Sequence, residues 1–76
     1  MRDLIEFVAR GLVDDPAAVR VEEISGAPTH VYRLRVASAD VGKVIGKHGR
    51  TAQSLRLLLA AAAARGGERA VLEIEE

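Results

Sequence analysis

The chain contains no cysteine and no tryptophan, and its 76 residues include only one tyrosine and one phenylalanine. Without cysteine there can be no disulfide, no thiolate nucleophile and no cysteine-based zinc site. Two histidines far apart in the sequence do not by themselves make a metal site. So few aromatic side chains exclude base stacking on exposed aromatics as a main binding mode. We therefore expect neither a metal ion nor a cofactor.

Long apolar runs are also missing. The longest run, residues 57–64, has eight residues, whereas a membrane-spanning helix needs about 20. The acids Asp3 and Glu6 come almost at once after Met1, so we expect no secretory signal. Seventy-six residues suffice for one small core but not for two. We expect a single soluble domain at residues 1–76, cytoplasmic and without membrane contact.

The chain has no net charge, yet its charges are unevenly placed. Seven of the eleven basic residues lie within residues 26–65, where Asp40 is the only acid. The acidic residues are concentrated in the segments before and after this block. Such a distribution gives a molecule with one positive face, although mixed charges can also simply solvate a small surface. Charge alone does not decide between these two interpretations.

Hydrophobic periodicity and turn residues predict six elements in the order α-β-β-α-α-β. The predicted helices are residues 3–12, 38–45 and 50–65, and the predicted strands are residues 19–24, 30–37 and 70–74. In the second strand Tyr32 and Leu34 share one face, and Arg33 and Arg35 share the other. The first two strands form an antiparallel hairpin, so the third must run parallel to one of them. We predict an α+β fold of two layers, with helices on one face of a three-stranded mixed sheet.

The most informative segment is residues 42–52, G-K-V-I-G-K-H-G-R-T-A. A four-residue turn with Gly46 and Gly49 at its ends joins two helices there. Glycine lets another backbone approach closely, and a helix N-terminus attracts anions. Lys43, Lys47 and Arg50 add positive charge, so the segment is a candidate phosphate cradle. The same pattern also fits a plain helix–turn–helix joint. The glycine spacing does not match a Walker A or dinucleotide-binding motif.

The run Val44-Ile45-Gly46-Lys47-His48-Gly49 resembles the signature of the KH domain, V-I-G-x-x-G between a short and a long helix. The predicted element order resembles the type II arrangement, which is mostly bacterial, and the resemblance spans all 76 residues. One departure is Thr51-Ala52, where the family usually has a larger aliphatic residue. The resemblance implies a type II KH fold with its G-x-x-G loop at residues 46–49.

The resemblance also implies a function, the binding of about four nucleotides of single-stranded RNA. Gly46 and Gly49 would shape the loop, while Lys47 and His48 would be its outward side chains. The remaining implied contacts are Lys43 and Arg50 beside the loop, and Val44 and Ile45 near the floor of an apolar groove formed by the short helix and a strand. Arg33, Arg35 and Arg56 are interpreted as solvated surface, and the alternative is that they form a second RNA contact. The class implied is a small bacterial RNA chaperone or post-transcriptional regulator.

The long helix carries a second candidate surface. Its periodicity predicts that Leu55, Leu58, Leu59 and Ala62 pack on the sheet. The stripe roughly opposite is also apolar, and we predict that it is a partner interface; its members are Leu57, Ala60, Ala61 and Ala64. The partner would be a second copy of the chain or, as the resemblance implies, a Jag-type (KhpB) KH protein. The alternative is that alanine merely favours helix here.

Two other functional classes, a protein-interaction module and an enzyme, are alternatives to RNA binding. A KH fold can serve as a protein-interaction module, but acids at the two variable loop positions would favour that more than Lys47 and His48 do. No nucleophile–base set follows from the spacing of the candidate acid–base groups for an enzyme, which are His30, His48, Asp40, Glu22 and Glu23. A chain this small also lacks room for a deep pocket. We expect no enzymatic activity and no small-molecule substrate.

Overall fold

A computed structural model describes all 76 residues. The chain forms three helices and three strands in the predicted order: α1 (Arg2–Leu12), β1 (Arg20–Ser25), β2 (Thr29–Arg35), α2 (Val41–Ile45), α3 (Arg50–Ala64) and β3 (Arg69–Ile74). Short 3₁₀ turns at Pro16–Ala18, Ser38–Asp40 and Lys47–Gly49 precede β1, α2 and α3. No helix has both the length and the apolar content needed to cross a membrane.

The sheet is mixed, as predicted, with β2 in the centre. β1 pairs antiparallel to β2 and β3 pairs parallel to it, which places Tyr32 between Glu23 and Leu72. Successive side chains of a strand point to opposite faces. Tyr32 and Leu34 are accordingly buried beneath the helices, while Arg35 on the other face is exposed. The predicted α+β, two-layer architecture is therefore confirmed.

The core lies between the sheet and the helices. Its most deeply buried large side chains are Ile5 from α1, Leu34 from β2 and Leu59 from α3. α1 lies over β1 and α3 over β3, whereas α2 packs mainly against α3 at one end of the layer. The joint between α2 and α3 is therefore held at a surface edge, where its side chains can reach solvent.

The rotation of α3 differs from the sequence prediction. The residues that face the sheet are Ala52, Leu55, Leu59 and Ala63. Leu58 and Ala62, which were predicted to pack there, are exposed, and Leu58 retains 47% of its surface. On the other flank of α3, Arg56 Nε donates a hydrogen bond to the Leu72 carbonyl oxygen at 3.1 Å. This bond ties that flank of α3 to β3.

The two outer strands are each contacted by an arginine from a helix. Arg56 reaches the carbonyl of Leu72 in β3, and Arg2 Nη1 donates to the carbonyl of Val21 in β1 at 3.3 Å. β1 and β3 are the edges of the sheet, because only β2 has a neighbour on both sides. Each edge therefore has a main-chain acceptor already occupied by a side chain of the same molecule.

A histidine links the far end of the sheet to the turn before β3. His30 Nε2 lies 2.7 Å from Glu68 Oε1, and its Nδ1 lies 3.2 Å from Glu23 Oε2. The ring also stacks on Tyr32, with centroids 6.1 Å apart. The hydrogen bond to Glu68, followed by that to Glu23, raises the pKa of His30 above its ordinary value of 6.5. The protonated ring donates to both carboxylates.

We predict that this cluster makes stability depend on pH. Since folding raises the pKa of His30, its contribution is fully present below pH 6.5 and is lost as pH rises through the higher folded pKa. The urea midpoint of the native chain should therefore fall relative to that of His30→Gln between about pH 6 and pH 9. A constant difference between the two midpoints over that range would contradict the prediction.

Candidate nucleic-acid interface

The G-x-x-G loop is a compact turn closed by its own backbone. Gly46 N donates to the Gly42 carbonyl at 2.9 Å, ending α2, and Gly49 N donates to the Gly46 carbonyl at 3.0 Å. The intervening residues, Lys47 and His48, are exposed. Because the backbone bonds fix the turn from within, the two side chains are free to face solvent, as the sequence predicted for them.

Gly46 is required by both conformation and space. Its φ of 79° and ψ of 171° lie in a region that is essentially restricted to glycine. A Cβ at this position would collide with Thr51, falling within 2.6 Å of its Cβ and 2.9 Å of its backbone nitrogen, and closer still to its Oγ1. Thr51, one of the two residues that depart from the family pattern, therefore packs directly against the loop. The other, Ala52, is buried in the core-facing side of α3.

The second half of the loop also uses the left-handed region. Gly49 has a φ of 74° and ψ of 11°, and His48 has a φ of 59° and ψ of 25°. Histidine is among the few non-glycine residues that adopt this conformation with some frequency. No atom lies within 4 Å of a Cβ built on Gly49. Open space at Gly49 leaves room for another chain to approach the start of α3.

Four basic side chains have no partner, and two of them, Lys47 and Arg50, lie at the loop; the other two, Arg65 and Arg69, flank the turn before β3. Five basic residues form ion pairs elsewhere: Arg2, Arg10, Arg33, Arg35 and Lys43. Arg20 and Arg56 donate to backbone carbonyls. Lys47 and Arg50 are exposed and have no side-chain partner, and no side chain caps the N-terminus of α3. Two free cations therefore accompany a helix N-terminus, an arrangement suited to phosphate.

Lys43, which the resemblance implies as an RNA contact beside the loop, is paired with two acidic side chains. Its Nζ lies 3.2 Å from Asp14 Oδ2 and 3.4 Å from Asp40 Oδ1. The hydrogen bond to Asp14, the largest effect, and that to Asp40 raise the pKa of Lys43. The spacing of Asp40 and Lys43, three residues apart at the start of a helix, was a visible signal for one pair. Asp14 carried no such signal, because it is distant in the sequence.

The two apolar residues of the motif differ in depth. Val44 is fully buried and belongs to the core cluster, whereas Ile45 is half-buried. Val44 is therefore too deep to touch a ligand and acts by fixing α2. Ile45 retains some accessible surface beside the loop. The groove between the short helix and a strand, with Ile45 at its floor, stays a prediction.

A different groove, which sequence reasoning missed, lies between α1 and α3. It encloses about 370 Å³ and adjoins the loop through Arg50; its other lining residues are Val8, Leu12, Thr51, Ser54, Leu55 and Leu58. The outward rotation of Leu58 creates its apolar wall. The signal in the sequence was the pair Val8 and Leu12, which lie four residues apart on one side of α1. Both side chains retain accessible surface, and both line the groove.

The helices, the mixed sheet and the glycine loop together define a KH domain of the type II arrangement. The family model "KhpA/KhpB, KH domain" matches residues 2–74. The chain thus belongs to the KhpA/KhpB family of KH domains, in agreement with the resemblance seen in the sequence. No solved structure matches it.

Three curated relatives illustrate this membership. The protein named RNA-binding protein KhpA from Aquifex aeolicus is 50% identical over 76 residues, covering 100% of this chain and 96% of its own length. The one from Treponema pallidum is 53% identical over 72 residues, covering 95% and 90%. The one from Chlamydia pneumoniae is 43% identical over 76 residues, covering 100% and 97%. The similarity extends over nearly the whole of each chain.

The two loop glycines should respond differently to substitution. Gly46→Ala introduces both a disallowed conformation and a collision with Thr51, so we expect the free energy of unfolding to fall by at least about 2 kcal/mol. Gly49→Asn meets no atoms and places a tolerated residue type in the left-handed region, so the loss should be below about 1 kcal/mol. Urea unfolding of both variants measures the difference. Equal losses would contradict the role given to Thr51.

Proposed function

We propose that the chain binds single-stranded RNA at the loop of residues 46–49, with Lys47, His48 and Arg50 contacting the sugar–phosphate backbone. The observation that carries the proposal is a pair of unpaired cations, Lys47 and Arg50, at a glycine turn that opens onto a helix N-terminus. The relatives described above are themselves named RNA-binding proteins. Within the cell the chain would act as a small bacterial RNA chaperone or post-transcriptional regulator.

The geometry explains how phosphate would be held. The left-handed turn brings the backbone of Gly49 to the surface, where no side chain obstructs the approach of a strand. Lys47 and Arg50 supply charge, and the accessible part of Ile45 supplies apolar surface for a base. Contacts to phosphate carry no sequence information. A single site of this kind should bind weakly, with a Kd on the order of 10⁻⁴–10⁻⁶ M.

A partner would supply the additional affinity. We propose that α3 mediates a homodimer or a heterodimer with a Jag-type (KhpB) KH protein through Leu57, Ala60, Ala61 and Ala64. All four side chains are exposed, and Leu57 retains 72% of its surface. Leu58 extends the apolar area toward α1. Small alanines allow a second helix to approach closely, and two linked RNA sites raise affinity through avidity.

A second candidate function is a protein-interaction module with little RNA binding of its own. The observation that favours it is the amount of exposed apolar surface on the helices, which includes Phe7 at 78% as well as Leu57. Large apolar side chains exposed in this way often mark interaction sites when they are contiguous. Direct RNA-binding measurements on loop variants separate the two functions.

The loop prediction uses the double variant Lys47→Asp/His48→Asp. Reversing the charge at the loop should raise the Kd for a single-stranded RNA at least tenfold because phosphate is repelled, while the fold survives because both side chains are solvated. Fluorescence anisotropy with a labelled oligonucleotide gives the Kd, and circular dichroism reports the fold. An unchanged Kd in a folded variant would refute the phosphate contact.

The matched control is Arg65→Asp/Arg69→Gln, which changes the formal charge by the same amount. Arg65 and Arg69 are also exposed and unpaired, but they flank the turn before β3 rather than the loop. RNA binding of this control should stay within about twofold of the native chain, since only long-range charge is altered. For the native chain, a plot of the logarithm of the RNA association constant against the logarithm of the salt concentration should have a slope of about −1.4. This slope corresponds to two phosphates neutralised on a single strand.

The interface prediction uses Ala60→Glu/Ala64→Glu. Both positions are exposed on α3 and glutamate is a good helix former, so the fold should be retained. Buried in an interface, the new charges would be desolvated without partners, and the variant should sediment as an 8.1 kDa monomer. The native chain should sediment as a dimer or recover a KH protein in a pull-down.

A charge-matched control is Ala62→Glu/Arg65→Gln, because Ala62 is exposed on α3, Arg65 is exposed directly after its last residue, and both are outside the stripe. It should associate as the native chain does. A native chain that stays monomeric at high concentration and recovers no KH protein would show that the stripe reflects only the helix preference of alanine.

A further inference from the structure

The start of α2 is fixed by a buried carboxylate. Asp40 retains 2% of its surface, and its Oδ2 accepts the backbone N–H of Asp15 at 3.1 Å. Burial by itself raises the pKa of Asp40, but the backbone N–H groups of Asp15 and Asp14, together with Lys43, outweigh it and hold the pKa below its usual value. The carboxylate therefore remains charged and anchors the segment between α1 and β1 beside α2.

This anchor brings a second acid to the edge of the candidate RNA site. With Asp15 held by its backbone, the neighbouring Asp14 side chain reaches Lys43 Nζ at 3.2 Å. The two partners are open to solvent, with 81% of the Asp14 side chain and 43% of the Lys43 side chain exposed. Lys43 lies on α2, one turn before the loop that carries the unpaired Lys47. The cation nearest the loop on this side is thus already matched by two carboxylates.

We propose that Asp14 sets the edge of the RNA footprint by occupying Lys43, so that phosphates engage the Lys47 and Arg50 side of the loop. The inference rests on the proposed RNA binding and refines it. A phosphate approaching Lys43 meets the negative charge of Asp14 and must displace it from the lysine. No such competitor stands beside Lys47 or Arg50, which have no acidic partner.

A purely structural role for Asp14 fits the observations less well. Exposed ion pairs contribute little to stability, and the segment is already held by the hydrogen bond from the Asp15 backbone to Asp40. The hydrogen bond to Asp14, the largest effect, raises the pKa of Lys43, in agreement with an ion pair between the two side chains. The principal effect of Asp14 is on the charge available to a ligand.

The test compares Asp14→Asn with Asp15→Asn. Both remove one negative charge from neighbouring exposed positions, but only the Asp14 carboxylate pairs with Lys43. With a labelled single-stranded oligonucleotide, Asp14→Asn should bind about two- to fivefold more tightly than the native chain, the range that one exposed ion pair supplies. Its log–log salt slope should steepen by about 0.7, which corresponds to one more phosphate neutralised.

Asp15→Asn should leave the salt slope of RNA binding unchanged. In a chain that also carries Lys43→Gln, Asp14→Asn should not increase the affinity for RNA. An equal increase in RNA affinity in Asp15→Asn, or an increase that persists without Lys43, would show that the acid only repels phosphate, and would overturn the assignment. An unchanged slope in Asp14→Asn would do so as well. If the native chain binds no single-stranded RNA, both the proposed function and this inference fail; native binding that Asp14→Asn does not alter refutes the inference alone.

Discussion

The contact between Gly46 and Thr51 is the constraint on which the functional end of the molecule depends. With no Cβ in the way, α3 begins almost directly against the end of α2, and only four residues separate the two helices. The chain makes this tight connection with His48 and Gly49 in left-handed conformations, and the side chains of Lys47 and His48 are exposed. The shape of the loop therefore follows from how tightly two helices are joined and needs no stabilising ligand.

Ion pairs away from the loop neutralise other basic residues and leave the loop positively charged. The open face of the sheet carries arginines, but Arg33 pairs with Glu22 and Glu73, and Arg35 pairs with Glu75. A chain without net charge thereby presents a local positive field, because the balancing acids are matched to basic residues away from the loop. The interpretation of Arg33 and Arg35 as solvated surface agrees with these pairs.

Much of this structure could be predicted from the sequence because it depends on local patterns. Alternation in β2, the glycines after α2 and the apolar spacing of the helices determine the element order and the mixed sheet. The rotation of α3 could not be predicted, since Leu58 and Leu59 are equally apolar and neighbouring positions on the helix, so periodicity alone does not choose between them. The partners of Lys43 and the His30 cluster are likewise contacts between distant segments, which periodicity does not encode.

The arginines at the sheet edges limit how this fold can assemble. An unprotected edge strand offers a row of main-chain donors and acceptors to any extended peptide, including the same strand of another copy. Here Arg2 and Arg56 each occupy a carbonyl in the middle of an edge, so an incoming strand would have to break a hydrogen bond before its ladder could continue. Growth of the sheet into dimers or fibrils is thereby disfavoured. The helical layer and the open face of the sheet then remain as the surfaces through which copies of the domain, or a partner, can make contact.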